Sequence, residues 1–465
     1  MHFRSILAQH DFVFVYGAGI SGQGVSQVLL DQGEKVILYN DEQKDLEQTF
    51  REDMKKRGGK IVFSEDPRPY LKKSKLFIIS PGIPFTTDVV KKAREEKLEI
   101  IGEAEYASRL YKGHWVGITG TNGKTTTTTL VSRMLATLPV PTTVAGNIGY
   151  ALSKELEHMG PESYVAAELS SFQLEGMTTF HPQIACIVNI TPDHFERHGN
   201  MENYINAKAQ IFAHQTAEDV LVLNYDNEPD RKLASRAASR VFFFSTEEKL
   251  EKGAWIEEGN FVFDVDGSKH VVCKVSDLKI FGAHNEQNVL AAILCCHFAG
   301  VTVENMEKVL KAFEGVEHRL EYVTTIKGVP YYNDSKATNT DSAVKALEAF
   351  KEGHVILLAG GHDKMTDLTE FMQVTARKTD ALILLGEARQ RFLKAAQKNG
   401  VKNIVMCDGS FEDAVRLAYD MAKPPQVVLL SPACSSYDMF ANFPERGRVF
   451  KSIVHTLKKE AGEEA

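Results

Sequence analysis

Gly117-Ile118-Thr119-Gly120-Thr121-Asn122-Gly123-Lys124-Thr125-Thr126 follows the apolar run 114–118 and leads into a threonine-rich helix start. A strand that breaks into a glycine-rich turn and then a helix aims successive backbone N–H groups, and the positive end of the helix dipole, at one point in space. That is the geometry a polyphosphate needs. Lys124 is placed to reach the β- and γ-phosphates and Thr125 to offer its hydroxyl to magnesium, with Gly120, Thr121, Asn122, Gly123 and Thr126 completing the cradle. The spacing departs from G-x-x-x-x-G-K at one place: Ile118 occupies the first glycine position, and the glycines recur instead every third residue. A turn of this kind could merely connect strand to helix. The coincidence of strand, glycines, Lys-Thr and helix start instead reads as an ATP-binding loop, which centres the fold on a parallel α/β unit.

Working outward, further buried-strand candidates lie at 164–167, 184–190 and 220–224. Between 241 and 275 the pattern changes to short strands broken by polar residues and glycine, a small antiparallel elaboration ahead of a helix starting near Asn285. Towards the N-terminus, apolar runs 12–16, 36–39, 61–63 and 76–79 alternate with helix-like stretches, as in a small parallel α/β unit. A third unit begins near Glu317, with strand candidates 329–332, 355–359, 381–385 and 427–430 and helical segments such as 342–350. A chain of 465 residues has room for three such cores. The expected architecture is α/β in three domains: Rossmann-like over 1–100, a P-loop ATPase-like parallel sheet with a small antiparallel elaboration over 101–315, and Rossmann-like again over 316–465.

Composition narrows the partners. With 43% hydrophobic and 25% charged residues the chain is an ordinary globular one, and its net charge of -8 argues against a nucleic-acid or anionic-membrane surface. Cys186, Cys273, Cys295, Cys296, Cys407 and Cys434 form no C-x-x-C pair and read as buried thiols in a reducing compartment. There is no charged-then-apolar leader and no apolar run of membrane-spanning length. A cytoplasmic monomer acting on small molecules, without nucleic acid or membrane insertion, is expected.

Gly17-Ala18-Gly19-Ile20-Ser21-Gly22 fits G-x-G-x-x-G after a strand, and Asn40-Asp41 ends the next one. Three readings stay open: NAD, another diphosphate such as a nucleotide sugar, and a packing turn. Because the second loop already supplies an ATP site, the nucleotide sugar ranks above NAD. Glu168 ends the run 164–167 and Asp193-His194 follow the run 184–190, at the carboxyl edge where α/β sheets place ligands. A carboxylate and an imidazole there suit magnesium, the carboxylate better, since magnesium prefers oxygen. His194 could equally be a turn or capping residue. Lys208 falls within an apolar stripe with Tyr204, Ile205, Ile211 and Phe212, where a lysine ordinarily snorkels to water. The sharper alternative is a desolvated neutral amine that takes up carbon dioxide as a carbamate. In the third unit, Asn333-Asp334-Ser335-Lys336-Ala337-Thr338-Asn339, Gly360-Gly361-His362-Asp363-Lys364 and the segment 431–440 each directly follow a strand. Three polar loops at one sheet edge suit a small anionic substrate, although each alone could be helix capping.

In order and spacing, the loop 117–126, Ala145-Gly146-Asn147-Ile148-Gly149, the segment 168–173, His284-Asn285-x-x-Asn288, Glu317-His318-Arg319 and the segment 333–339 resemble the Mur ligase family over nearly the whole chain. Gly360-Gly361-x-Asp363-Lys364 and the run 431–443 look like the D-glutamate-adding branch, and the Asp-Asn-Pro-Arg motif of diaminopimelate-adding enzymes is absent. The resemblance implies ATP-dependent joining of D-glutamate to UDP-N-acetylmuramoyl-L-alanine in peptidoglycan synthesis. It implies that Ile20, Ser21, Asn40, Asp41 and Gly82 hold the uridine diphosphate, with Asn147, Ser170 and Gln173 adding contacts to the nucleotide sugar. Asn285 and Asn288 would face adenine, Arg319 and Asp334 close over the nucleotide, and Thr125, Glu168, His194 and carbamylated Lys208 serve two magnesium ions. Lys364, Thr338, Ser436 and Phe443 would hold D-glutamate.

The implied mechanism is phosphorylation of the precursor carboxylate to an acyl phosphate, with Lys124 and Lys336 offsetting charge, then attack by the amine, with closure of the third domain. Three rivals differ in one feature each. A folylpolyglutamate synthetase would lack the N-terminal nucleotide-sugar domain, a nicotinamide-dependent reductase would turn over no ATP, and a nucleotide-sugar sensor would release no phosphate.

Overall fold

The computed structural model describes residues 11–147, 151–156, 159–280 and 282–463. They form three sheets flanked by helices. The first contains β1 (Phe12–Tyr16), β2 (Lys35–Asn40), β3 (Lys60–Phe63), β4 (Ser74–Ile79) and β5 (Ile100–Gly102) in the order β3-β2-β1-β4-β5, all parallel. Burial on both faces explains why these strands read as continuous apolar runs. Val13, Val15, Val36, Leu38 and Ile78 pack into one core, whereas Phe14, Tyr16, Ile37, Tyr39 and Phe77 pack into the other. At three residues, β5 is too short to show a pattern.

The second sheet contains β6 (His114–Thr119), β7 (Thr142–Gly146), β8 (Tyr164–Glu168), β9 (Ile184–Ile187), β10 (Val220–Asn224), β11 (Arg240–Ser245), β12 (Gly253–Glu257), β13 (Asn260–Asp264) and β14 (His270–Lys274), in the order β14-β13-β12-β11-β10-β9-β6-β8-β7. Two expectations are corrected here. The run 184–190 is strand only as far as Ile187; beyond it Val188 is buried against the glycine-rich loop and Ile190 in the core of the sheet. The elaboration is continuous with the main sheet, because β11 and β12 still pair parallel and only β13 and β14 turn antiparallel.

The third sheet contains β15 (Glu321–Ile326), β16 (Val329–Asn333), β17 (Val355–Gly360), β18 (Thr379–Leu385), β19 (Ile404–Met406) and β20 (Val427–Leu430), ordered β15-β16-β20-β17-β18-β19. Only β15 is antiparallel. It joins β16 through Lys327-Gly328, both at positive φ (47° and 80°), as a two-residue hairpin turn requires. The chain divides into two compact units. One holds the described residues through Asp277 with Gln287–Ala312; the other holds Leu278–Glu286 and the described residues from Phe313. No described helix is long and apolar enough to cross a membrane.

One rule places the candidate loops. In each sheet they leave adjacent parallel strands at their carboxyl ends: β2-β1-β4 in the first, β9-β6-β8 in the second and β16-β20-β17 in the third.

Candidate active site

The loop after β6 runs into the helix Lys124–Leu135. Gly123 has φ 82°, and a Cβ there would stand 2.2 Å from Asn288 Oδ1, so glycine is required both for conformation and for space. Beneath the loop, Asn189 accepts from Asn122 N (2.9 Å) while its carbonyl accepts from Thr121 N (2.8 Å). Lys124 Nζ donates to the carbonyls of Gly120 and Thr121, both at 2.9 Å. Lys208 Nζ donates to the same Gly120 oxygen at 2.7 Å. Two lysine amines therefore converge on one carbonyl.

Lys208 does not snorkel. It is 1% exposed, on the helix Met201–Ala209, with its amine 4.6 Å from the Tyr204 ring centroid. The stripe around it faces the glycine-rich loop, which leaves the amine no path to water. Burial, followed by the nearby Lys124 charge, pushes its pKa well below the ordinary lysine value, against the opposing pull of Asp193 and Asp230. The shift favours the neutral, nucleophilic form of the amine.

Glu168 ends β8, buried, with Oε1 accepting from Asn147 Nδ2 at 3.0 Å. Ile148 and Gly149 of that motif lie outside the described residues. Ser170 and Gln173 cap the short helix Ser171–Leu174 reciprocally: Ser170 Oγ accepts from Gln173 N (3.3 Å) and Gln173 Oε1 from Ser170 N (3.0 Å). His194 has φ 55° and begins the helix Phe195–His198 without a side-chain capping bond. Its ring meets Phe172 edge-on at 4.9 Å, and Nδ1 lies 3.2 Å from Glu196 Oε1. Asn285 and Asn288 are buried one turn apart on the helix Ala283–Phe298, and Asn288 Oδ1 accepts from Thr127 Oγ1 at 3.3 Å.

At the first sheet, Gly22 is pressed onto the turn: a Cβ would lie 1.7 Å from Gly17 O. Asn40 Oδ1 accepts from Ala18 N at 3.1 Å, and Tyr16 donates its hydroxyl to Asp41. Ile20 is 69% exposed, and Gly82 is exposed in the loop after β4. Ile20, Ser21, Asn40, Asp41 and Gly82 thus rim the point where strand order reverses, the usual place for a ligand in such a sheet.

In the other unit, buried Asp334 follows β16 and accepts from Ser431 Oγ (2.7 Å) and Leu320 N (3.1 Å). Burial raises its pKa to about 6, opposed by the Arg319 charge. Lys336 Nζ lies 5.7 Å from the Phe443 ring centroid. Lys364 is exposed beside Asp363, which Arg391 grips with two bonds of 2.6 Å; Thr338 is half-buried and Ser436 buried. A residue that sequence reasoning missed joins two of these loops. Arg446, 1% exposed, donates to Ser335 Oγ (2.9 Å), Ser335 O (2.8 Å), Cys434 O (3.1 Å) and Ser435 O (3.3 Å). Burial brings its pKa down to about 10. An arginine in a first helical turn reads locally as surface, so no sequence signal marked it.

Residues 118–296 match the family description "Mur ligase middle domain", and residues 318–434 match "Mur ligase, glutamate ligase domain". The UDP-N-acetylmuramoylalanine--D-glutamate ligase of Caldanaerobacter subterraneus subsp. tengcongensis is 43% identical over 449 residues, covering 96% of this chain and 98% of its own. The chain belongs to the Mur ligase family. A protein of the same name from Pelotomaculum thermopropionicum is 42% identical over 96% of this chain and 98% of its own. Among solved Mur ligases, the UDP-N-acetylmuramate-alanine ligase of Thermotoga maritima superposes with a TM-score of 0.59 at 20% identity, covering 96% of this chain and all of its own. The MurF ligase of the same organism, solved with ADP, gives 0.59 at 18%, covering 92% and 95%. These two support the fold.

As in a Mur ligase, the α/β architecture with three mostly parallel sheets is as expected from the strand runs. Besides Arg446, local reading missed Asn189, whose neighbours are apolar and which looked like strand. The polar backbone contacts it makes appear only when the loop folds over it.

Proposed function

We propose that this chain joins D-glutamate to UDP-N-acetylmuramoyl-L-alanine at the expense of ATP, as a cytoplasmic monomer in peptidoglycan synthesis. The observation that carries the reading is the pair of amines, Lys124 and Lys208, meeting on Gly120 O at the head of a phosphate loop. A chain that only bound nucleotide sugar would have no use for a phosphate-reaching Lys124 and a second, buried amine on one carbonyl beneath a second glycine-rich turn.

The precursor carboxylate is a poor acyl donor. Its oxygen attacks the γ-phosphorus of ATP, forming a C–O–P linkage while the bond to ADP breaks, and Lys124 offsets charge on the transferring group. The D-glutamate nitrogen then attacks the acyl carbon, the C–O bond to phosphate breaks, and the amine proton passes to solvent. Ile20, Ser21, Asn40, Asp41 and Gly82 hold the uridine diphosphate; Asn147, Ser170 and Gln173 contact the sugar side. Asn285 and Asn288 serve adenine. In the second unit, Arg319, Asp334 and Lys336 take charge of phosphate and nucleotide groups, and Lys364, Thr338, Ser436 and Phe443 take D-glutamate.

The neutral Lys208 amine adds to carbon dioxide, releasing a proton and leaving a carbamate. Magnesium prefers oxygen ligands, so a donor set of hydroxyl, carboxylate and carbamate oxygens suits it where an ammonium would repel it. Thr125, Glu168, His194 and carbamylated Lys208 would hold two magnesium ions, which supply charge neutralisation among crowded oxygens. The deciding experiment measures phosphate release with ATP and precursor, repeated with each candidate amino acid. Release should require D-glutamate. Equal release with another amino acid would overturn the substrate, and hydride chemistry without ATP turnover would restore the reductase reading of the first turn.

A further inference from the structure

We infer that Arg197 is a positioning residue for the nucleotide-sugar loop of the first sheet, which it holds in place from the segment that follows His194. This rests on the nucleotide-sugar reading above. Arg197 lies on the helix Phe195–His198, three residues beyond His194, and its side chain is only 9% exposed. Nη2 donates to Ile83 O at 3.0 Å, in the tight turn next to Gly82 that Ile83 N closes on Ser80 O (3.0 Å). Nε and Nη2 both donate to Glu175 Oε2, at 3.1 and 2.7 Å. The guanidinium also covers the Phe172 ring at 5.0 Å, the ring whose edge meets His194.

The anchor at Glu175 is itself rigid. At neighbouring Gly176, a Cβ would come within 2.7 Å of the Gly102 backbone and 3.3 Å of the Phe85 ring, and Gly102 N donates to Gly176 O at 2.8 Å. The Glu175-Gly176 corner is therefore seated on the last strand of the first sheet and on Phe85 of the same loop. Glu175 Oε1 lies 3.1 Å from His198 Nδ1, and His198 Nε2 lies 3.0 Å from Ser171 Oγ. One neutral tautomer satisfies both contacts, with Nδ1–H donating to the carboxylate and the serine hydroxyl donating to Nε2; burial, which pulls the His198 pKa down, favours it. A single arginine thus spans one carbonyl of the sugar loop, one docked carboxylate and the ring against His194. None of these groups needs to touch reacting atoms.

The test uses the full-length enzyme and the variants Arg197→Ala, Arg197→Lys and Glu175→Gln, with phosphate release measured against each substrate and calorimetric titration of UDP-N-acetylmuramoyl-L-alanine. Losing charge-assisted bonds should raise KM and Kd for the nucleotide sugar about tenfold or more in Arg197→Ala, while KM for ATP stays within about twofold. Lysine should recover only part of the loss, because it has no planar fork. The double variant Arg197→Ala, Glu175→Gln should be little worse than Arg197→Ala alone, since the Arg197–Glu175 bonds are already gone and glutamine can still accept from His198. Should Arg197→Ala fail to fold, Glu175→Gln carries the test with the same expected split. Parallel rises in both KM values, or no rise in either, overturn the positioning role. A wild-type enzyme that binds no nucleotide sugar overturns the functional reading and this inference with it; an active wild type with unchanged variants overturns only this inference.

Discussion

At the turn after β1, Gly22 packs so closely on Gly17 that a methyl group would overlap the carbonyl, and the six residues Gly17 to Gly22 carry no charge. The polar anchoring comes from the neighbouring strand end, through Asn40 and Asp41. At the turn after β6, Gly123 packs on Asn288 instead, and the loop and its surroundings bring Lys124 and Lys208 to one oxygen. Each turn leads into a helix N-terminus, and the proposed reading gives each a phosphate-bearing ligand. Backbone dipoles alone suffice to hold a diphosphate that does not react. Moving a phosphoryl group asks for charge that follows the developing transition state, and only the second turn has it.

Substitutions can break or sharpen this contrast. The largest effect is expected from Lys124→Ala: phosphate release should fall about 1000-fold or more while calorimetry shows the nucleotide sugar still bound. Turnover near wild type would remove the distinction between the turns. Next comes Lys208→Ala, expected to lose about 100-fold or more in activity, with Lys208→Arg failing to restore it because guanidinium neither adds carbon dioxide nor ligates a cation. Carbon-13 NMR in labelled bicarbonate should show a carbamate signal in wild type that is lost in both variants; an active arginine variant would end the carbamate idea and spare the ligase reading.

For the first turn, Gly22→Ala should cost about 1–3 kcal/mol in denaturant unfolding through overpacking, and should depress nucleotide-sugar affinity while ATP binding persists. Unchanged stability would mean the turn relaxes and is not a fixed cradle. The smallest effect belongs to Asp41→Ala, about tenfold or less in nucleotide-sugar affinity with ATP affinity unmoved. Thermal protection by NAD, and none by the uridine nucleotide, would reverse the assignment of that turn.

Much of the fold and the two glycine turns was legible because their causes are local. A parallel strand buried on both faces must be an apolar run, and a turn that needs positive φ or close packing must be glycine, so β1, β10 and β20 coincide with their runs and the loop 117–126 announced itself. Short or half-exposed strands such as β5, β7, β15 and β19 leave too few residues, or too weak an alternation, to be read. The candidate loops could be placed at strand ends, but their neighbourhood depends on strand order, which no local pattern encodes. The sharpest case is Lys208. Its sequence determined a lysine on an apolar helical stripe, equally consistent with a side chain reaching water. Tertiary structure alone decided that the stripe faces Gly120, 88 residues away, and that the amine shares its carbonyl with Lys124. Charge state depends on desolvation and on neighbouring charges, and both are set by which distant segments fold against the group.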